Sequence, residues 1–253
     1  MDKKWFYKVF FIMLVLMLTA CSGEKSTSTI ETNVEEEEYE AVSKLTEEQE
    51  YEIISESFSE ENVIVEYPQI VNFKDEEKQR EINELIKKEA LKPFLETLKI
   101  LNPDQKYEAE GKFDIKFKNN QILSIAYSSY NNISPSAHPY NLFFTTNIDL
   151  TTGNELFLPD FVSNIDKNFI IKLKNAKYVG DLGEDNEQQI KEMVFGQYSS
   201  FEELITELNS SKDKNNGIFV YVTENALGIS MPVAHVAGDH AEFEIDFDVL
   251  KEE

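Results

Sequence analysis

One cysteine, Cys21, is all that 253 residues contain. A fold built from the other residues holds no disulfide and no thiolate metal site, so its stability must come from buried apolar surface. Long apolar runs are missing as well. The longest, VFFIMLVLMLTA from Val9 to Ala20, falls short of the roughly 20 residues that a membrane-spanning helix needs. Positive charge is scarce: 24 Lys and Arg face 48 Asp and Glu, for a net charge of −24. A surface so acidic repels nucleic acid and anionic lipid, which argues against both as ligands and favours basic partners or cations. No G-x-S-x-G nucleophile elbow occurs anywhere in the chain, so that hydrolase chemistry has no starting point.

What is present begins with the leader. MDKKWFYK supplies Lys3, Lys4 and Lys8 ahead of the apolar run, and a charged segment before a run of that length has the form of a secretory signal. It ends in LTAC, Leu18 to Cys21, which resembles a bacterial lipobox. That resemblance implies cleavage before Cys21, diacylation of its sulfur, and anchoring of the mature chain to the outer face of the cytoplasmic membrane of a Gram-positive cell. Removing Asp2, Lys3, Lys4 and Lys8 with the leader takes the net charge from −24 to −26.

Residues 1–20 therefore read as the signal peptide and 21–49 as an acidic, disordered tether. The tether contains the Glu35–Glu38 block and lacks apolar periodicity, so it buries too little surface to offset ordering entropy. Residues 50–160 and 161–253 read as two α+β domains, with eighteen Phe and eleven Tyr in the chain to fill their cores.

In the first domain, YEIISESF and NVIVEYPQIV read as strands. Asp75 then caps a long amphipathic helix in which Ile82, Leu85, Ile86, Leu91, Phe94 and Leu98 recur at helical spacing, and Pro93 predicts a kink or a break. GKFDIKFKN, QILSIAYSSY and HPYNLFFTTNIDL alternate as strands, joined by an Asn119–Asn120 turn and followed by a turn at Gly153. The pattern predicts an antiparallel meander on the long helix, with no parallel βαβ unit.

In the second domain, helices are expected from a Ser163 cap, through NEQQIKEMVF, and from a Ser199 or Ser200 cap. Three strands close the chain. In the last, Phe243, Ile245 and Phe247 point inward, and Glu242, Glu244, Asp246 and Asp248 outward. The fold class is α+β, antiparallel meanders packed on amphipathic helices in two interlocked halves.

Candidate chemistry is thin. His138 follows Ser134, Pro135 and Ser136, but a serine–histidine couple needs a third orienting group that the sequence does not supply, so His138 reads as a strand-opening loop residue. His235, Asp239 and His240, with Glu242 or Glu244 nearby, are weak candidates for a divalent metal site, because their spacing fits no zinc signature. Asp149 with Thr151, Thr152 and Asn154 shares only composition with a calcium loop, and Asp160 reads as a helix cap. The 48 acidic residues less Asp2 make any carboxylate pair trivially available. No catalytic residue and no cofactor is therefore expected. The Tyr-, Asn- and Ser-rich stretch SSYNNISPSAHPY is the expected recognition surface, anchored by Tyr130, His138 and Tyr140.

EYPQI before the INELI helix, then LSIAYSSY and AHPYN…TTNIDLTTGNEL, resemble the extracytoplasmic part of the anti-sigma-V factor and the N-terminal domain of some peptidoglycan deacetylases. LGISMPV…AHVAGDHAEFEIDFDVL resembles that group's closing strand pair. The resemblance implies an α+β fold and a binding role, the anti-sigma-V part being a receptor for lysozyme. The expected function is a non-catalytic lipoprotein whose partner is a lysozyme-like basic protein or a cell-wall fragment. The alternatives are a metal-assisted wall hydrolase or deacetylase, and a structural partner in an envelope complex.

Overall fold

The computed structural model describes residues 51–135, 138–180 and 183–251. The leader, Cys21, the tether and Ser136 lie outside the described residues. Those described fall in one compact unit, and they are α+β.

The first sheet starts with a hairpin, β1 (Glu52–Glu60) and β2 (Asn62–Val71), turning at Glu61 with φ 51°. Helix α1 (Glu76–Ile100) follows, with the Asp75 carboxylate accepting the Lys78 amide at 3.0 Å. This is the expected cap. Of the kink or break expected at Pro93, the break does not occur: the helix runs unbroken through it, and the Thr97 hydroxyl bonds the Pro93 carbonyl at 2.9 Å. It carries the chain back to β3 (Lys106–Lys118), which pairs parallel to β2 from Asn62↔Glu108 to Val65↔Gly111. A parallel β-α-β crossover therefore exists where a purely antiparallel meander was expected. Strands β4 (Ile122–Ser134), β5 (Tyr140–Asp149) and β6 (Glu155–Leu156) complete the order β1-β2-β3-β4-β5-β6, antiparallel from β3 onward. The β5–β6 turn uses Gly153 at φ 76°, as its sequence predicted.

Helix α1 lies on one face of this sheet. Its Ile82, Ile86, Ala90, Leu91 and Phe94 bury against Val63, Val65, Ile70, Leu123, Ile125 and Ile148, each large side chain contributing about 1.5–3 kcal/mol. Gly111 makes room for this contact. A Cβ there would stand 3.0 Å from Phe94 Cζ and 3.1 Å from Val65 Cγ1.

The second half adds α2 (Leu158–Phe161), α3 (Lys167–Asn175), β7 (Lys177–Tyr178), α4 (Glu187–Phe195), α5 (Phe201–Asn209), β8 (Phe219–Val222), β9 (Ala226–Pro232), β10 (His240–Asp246) and α6 (Phe247–Lys251). Its sheet has the antiparallel order β7-β10-β9-β8. Ser200 caps α5 through the Glu203 amide, one of the two expected serines. The cap of α3 is Asp166, not Ser163; its carboxylate accepts the Asn168 and Phe169 amides. The final alternating run ends as a strand at Asp246 and turns helical from Phe247. Within it Glu242 is buried rather than outward. The core gathers Phe169, Leu173, Val194, Leu204 and Leu208 from helices with Leu227, Ile229, Met231, Phe243 and Ile245 from strands. Among the described residues no helix is long and apolar enough to cross a membrane.

Side chains, not strand pairing, join the two sheets. β8 is an outer strand, and such an edge leaves backbone groups unpaired. Thr145 Oγ1 and Asn147 Nδ2 of β5 donate to the Val220 carbonyl at 2.6 and 2.8 Å, and the Val222 amide donates to Ser124 Oγ at 2.9 Å. Ser124, Thr145 and Asn147 are all buried.

A second polar tie is ionic. Lys214, in the turn before β8, bonds Glu89 of α1 at 2.8 Å and Glu155 of β6 at 2.5 Å, and Lys88 reaches Glu89 at 3.0 Å. The two carboxyls shift in opposite senses. Burial raises Glu155, and Lys214 offsets this only in part. Burial acts on Glu89 too, but the hydrogen bonds and charges of Lys214 and Lys88 together hold it below the ordinary value.

Candidate functional site

Between the outer face of the first sheet and the β9–β10 connection lies a cleft of about 490 Å³. One wall comes from a cross-strand row. Glu110 of β3 stands opposite Tyr130 of β4, which stands opposite Asn141 of β5, and residues opposite one another in antiparallel strands share a face. Lys112 and Ser128 form the neighbouring row. The facing wall is Tyr178 of β7, Ala237 and Gly238 of the connection, and His240 and Glu242 of β10. Tyr130 is 50% exposed, an aromatic surface held on a strand and open to solvent. Lys112 bonds Glu110 at 2.8 Å, and that bond together with the lysine charge holds the Glu110 carboxyl below its usual range.

The β9–β10 connection is built to reach across. After the 3-10 turn His235–Ala237, Gly238 and Asp239 both take left-handed backbone, at φ 98° and 76°. Asp is among the few residues other than glycine that visit this region readily. The bend sends the Asp239 carboxylate to two partners: His235 Nδ1 at 2.8 Å and the Asn141 amide of the first sheet at 2.8 Å. One residue later, His240 Nδ1 is hydrogen-bonded to the buried carboxylate of Glu242, which also accepts the Ser230 hydroxyl at 3.4 Å. The Phe143 ring lies 5.2 Å from that of His240.

Residues singled out from the sequence are redistributed by the fold. Tyr130 lines the cleft. His138 stands with its ring 6.1 Å from that of His235, so two stretches read separately in the sequence meet. Tyr140 goes elsewhere: it pairs with Asn131, whose amide oxygen accepts the Tyr107 hydroxyl at 2.6 Å in the helix-side core, so it belongs to the opposite face. Burial pushes the Tyr107 hydroxyl up, with Tyr140 beside it adding to the shift. Asp149 accepts the Thr151 and Thr152 amides in the β5–β6 turn, and Asp160 accepts the Phe157 amide at the start of α2. Both are turn and cap residues. Glu110, Lys112 and Asn141 escaped sequence reading because strand alternation gives a face, never what covers it.

Two imidazole–carboxylate pairs fix their ring orientation and tautomer. Among the described residues no three His, Cys, Asp or Glu side chains form a metal-holding group. The cleft offers an aromatic surface, an amide, a hydroxyl and a carboxylate in one slot, a composition suited to holding a polar or cationic ligand.

No family model matches the chain, and no curated protein matches it. Solved structures do. A DUF3298 family protein from Pseudomonas aeruginosa PAO1 is similar at 14% identity and TM-score 0.42, covering 80% of this chain and 92% of its own. A member of the same family from Bacteroides fragilis NCTC 9343 is similar at 12% identity and TM-score 0.42, with the same coverage.

Proposed function

We propose that this chain is a non-catalytic lipoprotein, anchored through Cys21 on the outer face of the cytoplasmic membrane, that binds a protein or cell-wall ligand at the Tyr130 cleft. The partner first in line is a basic protein of lysozyme type. The observation that carries this reading is the Glu110–Tyr130–Asn141 row, an exposed aromatic flanked by an acid and an amide. The net charge, −26 once the leader is removed, steers a cationic partner toward it, and the resemblance to the lysozyme-binding anti-sigma-V part points the same way.

Titration of residues 22–253 with a c-type lysozyme at about 20 and 300 mM salt tests it, since screening over that range separates contact from long-range attraction. Binding that survives the higher salt supports the reading. Binding at low salt alone is attraction to any acidic surface. No binding at either sinks the lysozyme version and moves the search to wall fragments and to envelope partners.

The imidazole–carboxylate pairs at His235–Asp239 and His240–Glu242 favour a second reading, a metal-assisted wall hydrolase or deacetylase. Release of sugar or acetate from purified wall on addition of zinc or manganese would establish it over the first.

A further inference from the structure

The chain has three histidines, and the fold brings two of them, His138 and His235, together. His138 comes from the β4–β5 connection, His235 from the β9–β10 connection, and His240 opens β10. The rings of His138 and His235 lie 6.1 Å apart. His235 is held from behind: its Nδ1 sits 2.8 Å from Asp239 Oδ1, while Asp239 Oδ2 accepts the Asn141 amide at 2.8 Å. With both oxygens engaged, Asp239 orients the imidazole and leaves Nε2 as the nitrogen that can coordinate. A carboxylate on the non-coordinating nitrogen is the usual support of a metal-binding histidine, fixing its tautomer and raising its basicity. His138 is exposed and the His235 side chain is 52% exposed, so an ion reaches both without opening the core.

We infer that His138 and His235 together hold one divalent transition ion such as zinc, nickel or copper, with Asp239 as the positioning carboxylate. Imidazole suits these ions, whereas magnesium and calcium prefer oxygen. No third His, Cys, Asp or Glu completes a ligand set among the described residues, so solvent fills the remaining positions and the ion exchanges freely. His240 stands apart from the pair. Among the described residues no three His, Cys, Asp or Glu side chains come together to hold a metal, and the His240 ring packs by Phe143 instead, which makes it an internal control. A bound ion fastens the β4–β5 connection of the first sheet to the β9–β10 connection of the second. The inference does not depend on what the Tyr130 cleft binds.

The test is calorimetric titration with zinc chloride of residues 21–253 carrying Cys21→Ser, which removes the thiol, in buffer with excess magnesium to occupy surface carboxylates. One saturable site is expected. His138→Ala and His235→Ala should each weaken it by at least the roughly 10–100-fold that loss of an orienting carboxylate costs, and Asp239→Asn by about tenfold. His240→Ala should leave it unchanged. Circular dichroism of each variant checks that the fold persists. Absence of a saturable site overturns the inference, as does binding that survives loss of His138 or His235 or that disappears equally with His240. Zinc affinity unmoved by Asp239→Asn removes Asp239 from its assigned role.

Discussion

The Ser124 hydroxyl receives the Val222 amide at 2.9 Å and donates to Asn147 Oδ1 at 2.7 Å. This one side chain of the first sheet thus satisfies the Val222 amide on the open edge of the second. Ser124→Ala strands a backbone N–H and an amide oxygen in a buried place, at a cost of about 1–3 kcal/mol. Chemical denaturation should show a lower midpoint with an unchanged slope. An unshifted midpoint would mean that water satisfies β8 and that the serine is incidental.

Tyr221 lies flat over its cross-strand partner Gly228, where a Cβ would meet the ring at 2.1 Å. Gly228→Ala should therefore destabilise by about 1–3 kcal/mol through overpacking. Adding Tyr221→Ala should recover part of that loss, because the clash goes with the ring. Strictly additive thermal shifts in the double variant would contradict the contact.

Lys214 neutralises two carboxylates held largely out of water, and its loss should depend on pH in a defined sense. Glu89, held low, contributes stability above the ordinary carboxyl value of 4.5 that fades as pH falls. Glu155, held high by burial, contributes below 4.5 and loses that contribution as pH rises. Lys214→Met pushes both carboxyls up, so the variant's deficit against wild type should be small near pH 4 and grow to about 3–5 kcal/mol by pH 7. Urea midpoints measured across that range decide it. A deficit constant with pH would show that packing of the lysine stem, not its charge, holds the turn.

The proposed lipid anchor is tested in cells. Cys21→Ser should move the protein from the membrane fraction to the medium, while its precursor loses the mass gain of diacylation. Absence of a diacylglyceryl mass on Cys21 of the wild-type protein would remove the lipobox reading.

Local features were legible where one residue settles the matter. Asp75 and the Ser199–Ser200 pair announce helix starts, Gly153 announces a turn, and the alternation of Phe113, Ile115 and Phe117 announces a strand. Long-range pairing was not legible. Nothing in NVIVEYPQIV says that it runs parallel to a strand beginning at Lys106, because the crossover is a property of how α1 packs. Polar residues on strands misled most. Ser124, Thr145 and Asn147 are polar residues on strands, yet they are buried where the first sheet meets β8 of the second. The site suffered from the same blindness. His138 and His235 are 97 positions apart along the chain (235 − 138), and no periodicity brings them together.

Tyr130 and Tyr140 separate the recognition surface from the core. They sit in adjacent strands of one sheet but on opposite faces, since Tyr130 pairs with Asn141 and Tyr140 with Asn131. Tyr130→Ala should change stability by no more than about 0.5 kcal/mol, as expected at a half-exposed position. It should also weaken the salt-resistant binding of lysozyme by tenfold or more, equivalent to about 1.4 kcal/mol. Tyr140→Ala should do the reverse, lowering the melting temperature through its contact with buried Tyr107 while leaving affinity intact. Paired melting and binding curves for the two variants therefore locate the ligand on one face of the sheet. If Tyr140→Ala abolishes binding with the fold preserved, the ligand lies on the helix side and the cleft is not its site.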